Sequence, residues 1–149
     1  MATILVDGLD VHGLREMEPQ VEAAAQAALD GQTLVSPEDA EVSIAFVGDG
    51  EIGRLNEEWL GTDGPTDVIS FGLGEAPLVA DVYISVDTAR RNAARFGVEP
   101  REELLRLVVH GVLHAAGYDH PEGEDREASE MFVLQERLLE RLLNRPPEG

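Results

Sequence analysis

A chain of 149 residues, 43% of them hydrophobic, forms one domain with enough apolar surface for a core, and no linker, repeat or low-complexity stretch divides 1–149. The absence of cysteine removes disulfides and thiolate sites, so a transition metal would have to be held by imidazole and carboxylate. Thirty acidic residues against 11 basic ones, every one an arginine, give a net charge of −19, which repels phosphate backbones unless a local positive field intervenes.

The same charge balance fits a salty cytoplasm, where screening shortens the reach of the acidic field. No apolar run approaches the roughly 20 residues of a membrane span. The start, Met1-Ala2-Thr3-Ile4-Leu5-Val6-Asp7, lacks the basic region of a secretory signal. A cytoplasmic protein without a membrane partner is expected.

In chain order, Thr3-Ile4-Leu5-Val6 reads as a strand. Leu14, Met17, Val21, Ala24, Ala25 and Ala28 recur at helical spacing until Gly31. Residues 41–47 alternate as a half-buried strand, and a short helix follows near 51–59. The turn-rich stretch 61–65 precedes two strands, 67–71 and 79–86. Asp87 is the expected cap of a helix ending at Gly97, and Pro100 opens a helix to about 116. A last helix is expected over 125–143, with Met131, Leu134, Leu138 and Leu142 on one face and a frayed tail from Arg145. Helices and strands without strict alternation predict an α/β single domain, helices packed on a small mixed sheet.

Three of the four histidines fall in His110-Gly-Val-Leu-His114-Ala-Ala-Gly117-Tyr-Asp-His120. Four residues apart on a helix, His110 and His114 point the same way, as two ligands of a tetrahedral metal must. Gly117 can take the backbone conformation that ends the helix, letting His120 return as third ligand. Leu104, Leu105, Val108, Val109, Val112, Leu113 and Ala116 leave only a narrow polar stripe through Glu103, Arg106, His110, His114 and Gly117. A helix so apolar is expected to be buried, with partners for its histidines. Two hydrogen-bonded core histidines and an unrelated surface one are the plain alternative, which the spacing weighs against. The expectation is a three-histidine metal site at the end of a buried helix, holding one Zn2+ per chain. Its open fourth position would take the water to be activated, and no side chain is assigned as catalytic. The spacing matches the zinc-protease pattern H-E-x-x-H-x-x-G-x-x-H except that Gly111 stands where the protease has its glutamate base.

The same eleven residues, His110 to His120, resemble the signature of the YbeY family, the bacterial endoribonucleases of rRNA maturation. Pro65-Thr66-Asp67-Val68-Ile69-Ser70-Phe71 resembles that family's P-T-D-V-L-S-F strand, and Leu55-Asn56, Ala80-Asp81-Val82-Tyr83-Ile84-Ser85 and Met131 also fit. The resemblance covers about 42–143. It implies one α/β domain whose metal ligands are His110, His114 and His120. The implied activity is that of a zinc-dependent, single-strand-specific endoribonuclease in 16S rRNA 3′-end maturation and ribosome quality control. The implied partners are single-stranded RNA, the rRNA precursor and ribosomal particles, with no DNA. Family members usually carry an arginine important for cleavage shortly before P-T-D, where this chain has Leu60, and the lysines common around 61–65 are absent. The family's G-D-I is Ala80-Asp81-Val82 here.

Arg90, Arg91, Arg95, Arg101 and Arg106 place five of the eleven arginines within 17 residues before the site. They either grip phosphate or form a solvated face balanced by Glu99, Glu102 and Glu103. Thr66, Ser70 and Asp67 read either as a cleft wall, with Asp67 behind a ligand, or as turn chemistry after Pro65. Asp119 stands between a second role behind the metal and a turn role, and His12 has no companion. A metalloprotease-like hydrolase, disfavoured by Gly111, and a non-catalytic zinc-containing ribosome assembly factor are the competing functions.

Overall fold

The computed structural model describes residues 2–73, 77–118 and 130–144. Strand β1 (Thr3–Asp7) leads through two single-turn 3-10 segments, Asp10–His12 and Arg15–Met17, into helix α1 (Glu18–Gly31). The apolar period read from Leu14 becomes regular helix only at Glu18. Pro19 lies in the first turn, where its missing N–H costs no intrahelical bond. β2 (Glu41–Val47), α2 (Asp49–Leu60), β3 (Val68–Leu73) and β4 (Val79–Ser85) follow, then α3 (Val86–Phe96), α4 (Pro100–Ala115) and α5 (Glu130–Asn144). The expected start of the last helix at 125 and the tail from Arg145 lie outside the described residues.

The strands form one mixed sheet in the order β1-β2-β4-β3, the first three parallel and β3 antiparallel to β4. Alternation sends Val42, Ile44 and Phe46 of β2 and Ala80, Val82 and Ile84 of β4 to one face, where they join α1, α4 and α5 in the main core. The other face carries a smaller cluster, in which Val47 and Ile69 meet Ile52 of α2, with Phe71 and Tyr83 at its margin.

Helix α4 lies against the main face, in contact with α1, α3, α5, β3 and β4. Neighbours on nearly every side are the physical reason for its apolar circumference. Nine of its residues are buried, including the carboxylate-bearing Glu103, which is 3% exposed.

The start of α3 departs from expectation. Ser85, not Asp87, is its cap: the Ser85 Oγ accepts from the Thr88 N–H at 3.1 Å. Asp87 instead accepts from the backbone N–H of Asp49 at 3.0 Å, fastening α2 to α3. Asp49 completes the junction by accepting from Ser85 Oγ at 2.7 Å, Thr88 Oγ1 at 2.6 Å and Arg91 Nη1 at 2.7 Å. The bond from Arg91, helped by the two hydroxyls against the cost of desolvation, holds the Asp49 carboxyl down at about 2. Among the described residues no helix is long and apolar enough to cross a membrane.

Candidate metal centre

Two glycines let α4 approach the sheet. A β-carbon built on Gly111 would fall 2.5 Å from Val82 Cγ1 and 3.3 Å from Val68 Cγ2, and one on Gly72 of β3 would overlap the Ala115 carbonyl. Gly111 therefore faces the sheet. The glutamate that the protease pattern requires at this position would collide with β4. The absent glutamate is thus a packing requirement of this fold as well as a missing base.

One turn of helix places His110 and His114 side by side, ring centroids 6.2 Å apart and planes inclined by 26°. His110 is half-buried, whereas His114 is exposed where the helix ends, contrary to the expectation that burial extends to both. The end of the helix is built by Gly117, whose φ of 116° is open to glycine but strained for other residues. The Tyr118 N–H reaches back to the Leu113 carbonyl at 3.1 Å and the Gly117 N–H to the His114 carbonyl at 3.0 Å, the paired bonds of a Schellman turn. The Tyr118 hydroxyl accepts from the Thr33 N–H at 3.1 Å, tying this turn to the end of α1.

The turn also orients the His114 ring. It brings the Tyr118 carbonyl 2.9 Å from His114 Nδ1. A peptide carbonyl can only accept, so Nδ1 carries the proton and Nε2 the lone pair. His110 Nδ1 lies 2.7 Å from Gln135 Oε1, an amide oxygen brought in by α5. Both rings thus have Nδ1 beside an oxygen, as metal-ligating histidines commonly do. Two imidazoles one helical turn apart would supply two of the ligands of a tetrahedral metal. The donor set fits zinc. Among the described residues no group of three His, Asp or Glu side chains is assembled for a metal. His120, the expected third ligand, and Asp119 lie outside the described residues.

The polar stripe of α4 continues into a network. Arg106 binds Glu136 of α5 through Nε at 3.0 Å and Nη2 at 3.2 Å, Glu103 at 2.9 Å and Glu102 at 3.0 Å. Burial works against the Arg106 charge, but the bonds from Glu136 and Glu103 prevail and raise its pKa above the ordinary value. Burial pushes the Glu103 carboxyl up, opposed by Arg106. Gln135, 5% exposed, and Glu136 went unread in the sequence. The available signal was a glutamine four residues after the buried Met131, on the inward face of an amphipathic helix.

The other expected site residues are dispersed. Asp67 accepts from Asn92 Nδ2 at 3.4 Å, and its carbonyl accepts from the Ser85 N–H at 2.9 Å. Ser70 is half-buried opposite Val82 in the β3–β4 ladder, beside the close approach of Gly111, and Thr66 is half-buried just before β3. Arg91 pairs with Asp49, Arg101 with Glu16 at 3.3 Å, and Arg90 Nη2 reaches the His12 carbonyl at 3.5 Å. Arg95 is exposed on the last turn of α3. Leu60 ends α2 and is 55% exposed.

The model of a family of hydrolases that cut RNA internally, described as Endoribonuclease YbeY, matches residues 11–143. Curated relatives of that name include one from Bacillus pumilus, 37% identical over 154 residues covering 93% of this chain and 94% of the relative. Another, from Persephonella marina, is 40% identical over 111 residues, covering 70% and 72%. The solution structure of a Thermotoga maritima protein superposes with a TM-score of 0.61 at 31% identity, covering 95% of this chain and 89% of that one. The chain belongs to the YbeY endoribonuclease family.

Proposed function

We propose that the chain is a zinc-dependent endoribonuclease of the cytoplasm, cutting single-stranded RNA in 16S rRNA 3′-end maturation and ribosome quality control. Ribosomal particles and the rRNA precursor are its partners. The observation that carries the metal reading is that His110 and His114 share one helix face, each with Nδ1 beside an oxygen, which supports Nε2 as the metal-binding nitrogen. With His120 as third ligand, the site holds one Zn2+ per chain. When bound, zinc supplies Lewis acidity and a water acidic enough to attack a phosphodiester near neutral pH. The Schellman turn holds His114, and α5 holds His110, so the protein contributes a preset ligand geometry. Ser70 and Thr66 supply hydroxyls for RNA beside the helix, with Asp67 and Asp119 as supports behind the site. Arg90, Arg91 and Arg95 are the candidates for phosphate, and Arg91 must exchange the Asp49 carboxylate for it.

A protease reading meets the steric exclusion at Gly111. The assembly-factor reading keeps one specific support, the exposed Leu60 in the place of the family's arginine. The deciding experiment incubates the zinc-loaded full chain with single-stranded RNA, duplex RNA, casein and a 16S precursor on ribosomal particles, each with and without chelator. Chelator-sensitive cutting of single-stranded RNA and of the precursor, with casein intact, is expected. A zinc-loaded chain that cuts no RNA but pulls down ribosomal particles would replace the enzyme by an assembly factor.

A further inference from the structure

Gln135 occupies an unusual place for a neutral polar side chain, 5% exposed at the α4–α5 interface with both ends of its amide engaged. Its Nε2 donates to Glu136 Oε2 at 3.0 Å. Its Oε1 sits 2.7 Å from His110 Nδ1. The Glu136 carboxylate is held in turn by Nε and Nη2 of Arg106, at 3.0 and 3.2 Å, and Arg106 is fixed by Glu102 and Glu103 on its own helix.

These contacts determine a direction. A carboxylate paired with an arginine only accepts, and Arg106 binds Glu136 at two points. The amide of Gln135 must then present its NH2 to Glu136 and its oxygen to His110. Facing an acceptor, His110 can satisfy it only by carrying its proton on Nδ1. The ion pair thus sets the tautomer of a histidine two side chains away. A glutamine suits the position because a second carboxylate beside Glu136 would add like charge at hydrogen-bond distance.

Resting on the metal reading above, we propose that Gln135 is a positioning residue, clamped by the Arg106–Glu136 ion pair, that fixes His110 with Nε2 as its metal-binding nitrogen. The clamp makes α5 part of the metal centre, although it supplies no ligand among the described residues. Removing the clamp leaves His110 to distribute between tautomers and ring orientations. Only one of these binds metal, so affinity falls by the fraction lost together with the lost basicity of the ring, about 10- to 100-fold for a partner of this kind.

The test uses the full-length chain and two readouts. Nitrogen NMR of the metal-stripped protein above the histidine titration range reports the His110 tautomer directly. Competition with a chromophoric chelator reports zinc affinity. Wild type is expected to show Nδ1–H at His110. Gln135→Leu, which keeps the volume and removes the acceptor, should lose that preference and bind zinc about 10- to 100-fold more weakly. Gln135→Glu, which keeps an acceptor, should retain the tautomer and most of the affinity. Glu136→Ala, at the partly exposed end of the clamp, should shift the tautomer without touching either ring, and serves if Gln135→Leu fails to fold. An Nε2–H tautomer in wild type, or wild-type zinc affinity in folded Gln135→Leu, would overturn the proposal. A wild-type chain showing Nδ1–H but binding no zinc would overturn the metal reading itself, and the clamp's purpose with it.

Discussion

Replacing Gly111 by alanine tests how α4 is seated. The new β-carbon falls 2.5 Å from Val82 Cγ1. Val82 is 1% exposed on β4, an interior strand, and its β-branched side chain has few rotamers to retreat into. Relieving the overlap requires a displacement of about 1 Å in a close-packed layer, and overpacking of this kind costs about 1–3 kcal/mol. The helical preference of alanine over glycine returns about 1 kcal/mol. The net expectation is a loss of up to about 2 kcal/mol, a fall in Tm of up to about 8 °C at this chain length. Gly50, in the first turn of α2, has nothing within 4 Å of the equivalent β-carbon, so Gly50→Ala should be neutral or slightly stabilising. Thermal and urea unfolding of both variants supplies the comparison. Adding Val82→Ala to Gly111→Ala should cost less than the sum of the two single changes, because the small side chain removes the clash. A Gly111→Ala protein clearly more stable than wild type, or additivity in the double variant, would refute the close helix–sheet approach and the steric exclusion of a glutamate base.

The Asp49 carboxyl, held at about 2 against an ordinary 3.8, favours the folded state above its unfolded pKa, and that advantage is lost as pH falls from about 4 toward 2. The stability gap between wild type and Asp49→Asn should therefore be constant above about pH 5 and shrink below it, as read by urea titrations at several pH values. Replacing Arg90, Arg91 and Arg95 together by alanine should weaken RNA binding and flatten its salt dependence without removing zinc; unchanged binding would mark the α3 arginines as a solvated face. Protons compete with zinc for imidazole, so chelator should strip the metal as pH falls through about 6.5 and below, and full retention at about pH 3 would contradict histidine ligation.

The histidine helix was the most legible part of the sequence because its pattern is local. His110 and His114 share a face by helical spacing alone, and Gly117 ends the helix in the turn its lack of a β-carbon permits. The mixed sheet was legible as a class, but not the order β1-β2-β4-β3, which depends on crossovers that alternation cannot encode. The reading of α5 put Met131, Leu134, Leu138 and Leu142 on one face, and all four pack on the main core, but it missed that Gln135 and Leu139 are buried there too. Apolarity was the guide there, and a buried glutamine with partners on another helix carries no apolar signal. The arginines illustrate the same limit. Arg101 meets Glu16 across 85 residues of sequence, and Arg91 meets the carboxylate of Asp49, so a count of charges before the site could not tell phosphate grips from structural pairs. Asp87 was the natural cap by residue type, but Ser85 lies one residue before the helix and has the hydroxyl in reach of Thr88.

The central claim is that His110, His114 and His120 hold a single metal ion, and elemental analysis of the purified full chain tests it most directly. After zinc reconstitution and exhaustive dialysis, wild type should carry about one zinc per chain, while folded His114→Ala and His120→Ala should each lose most of it. Zinc content unchanged by His114→Ala would contradict the site, because that ring, set by the Tyr118 carbonyl, is one of the three proposed ligands.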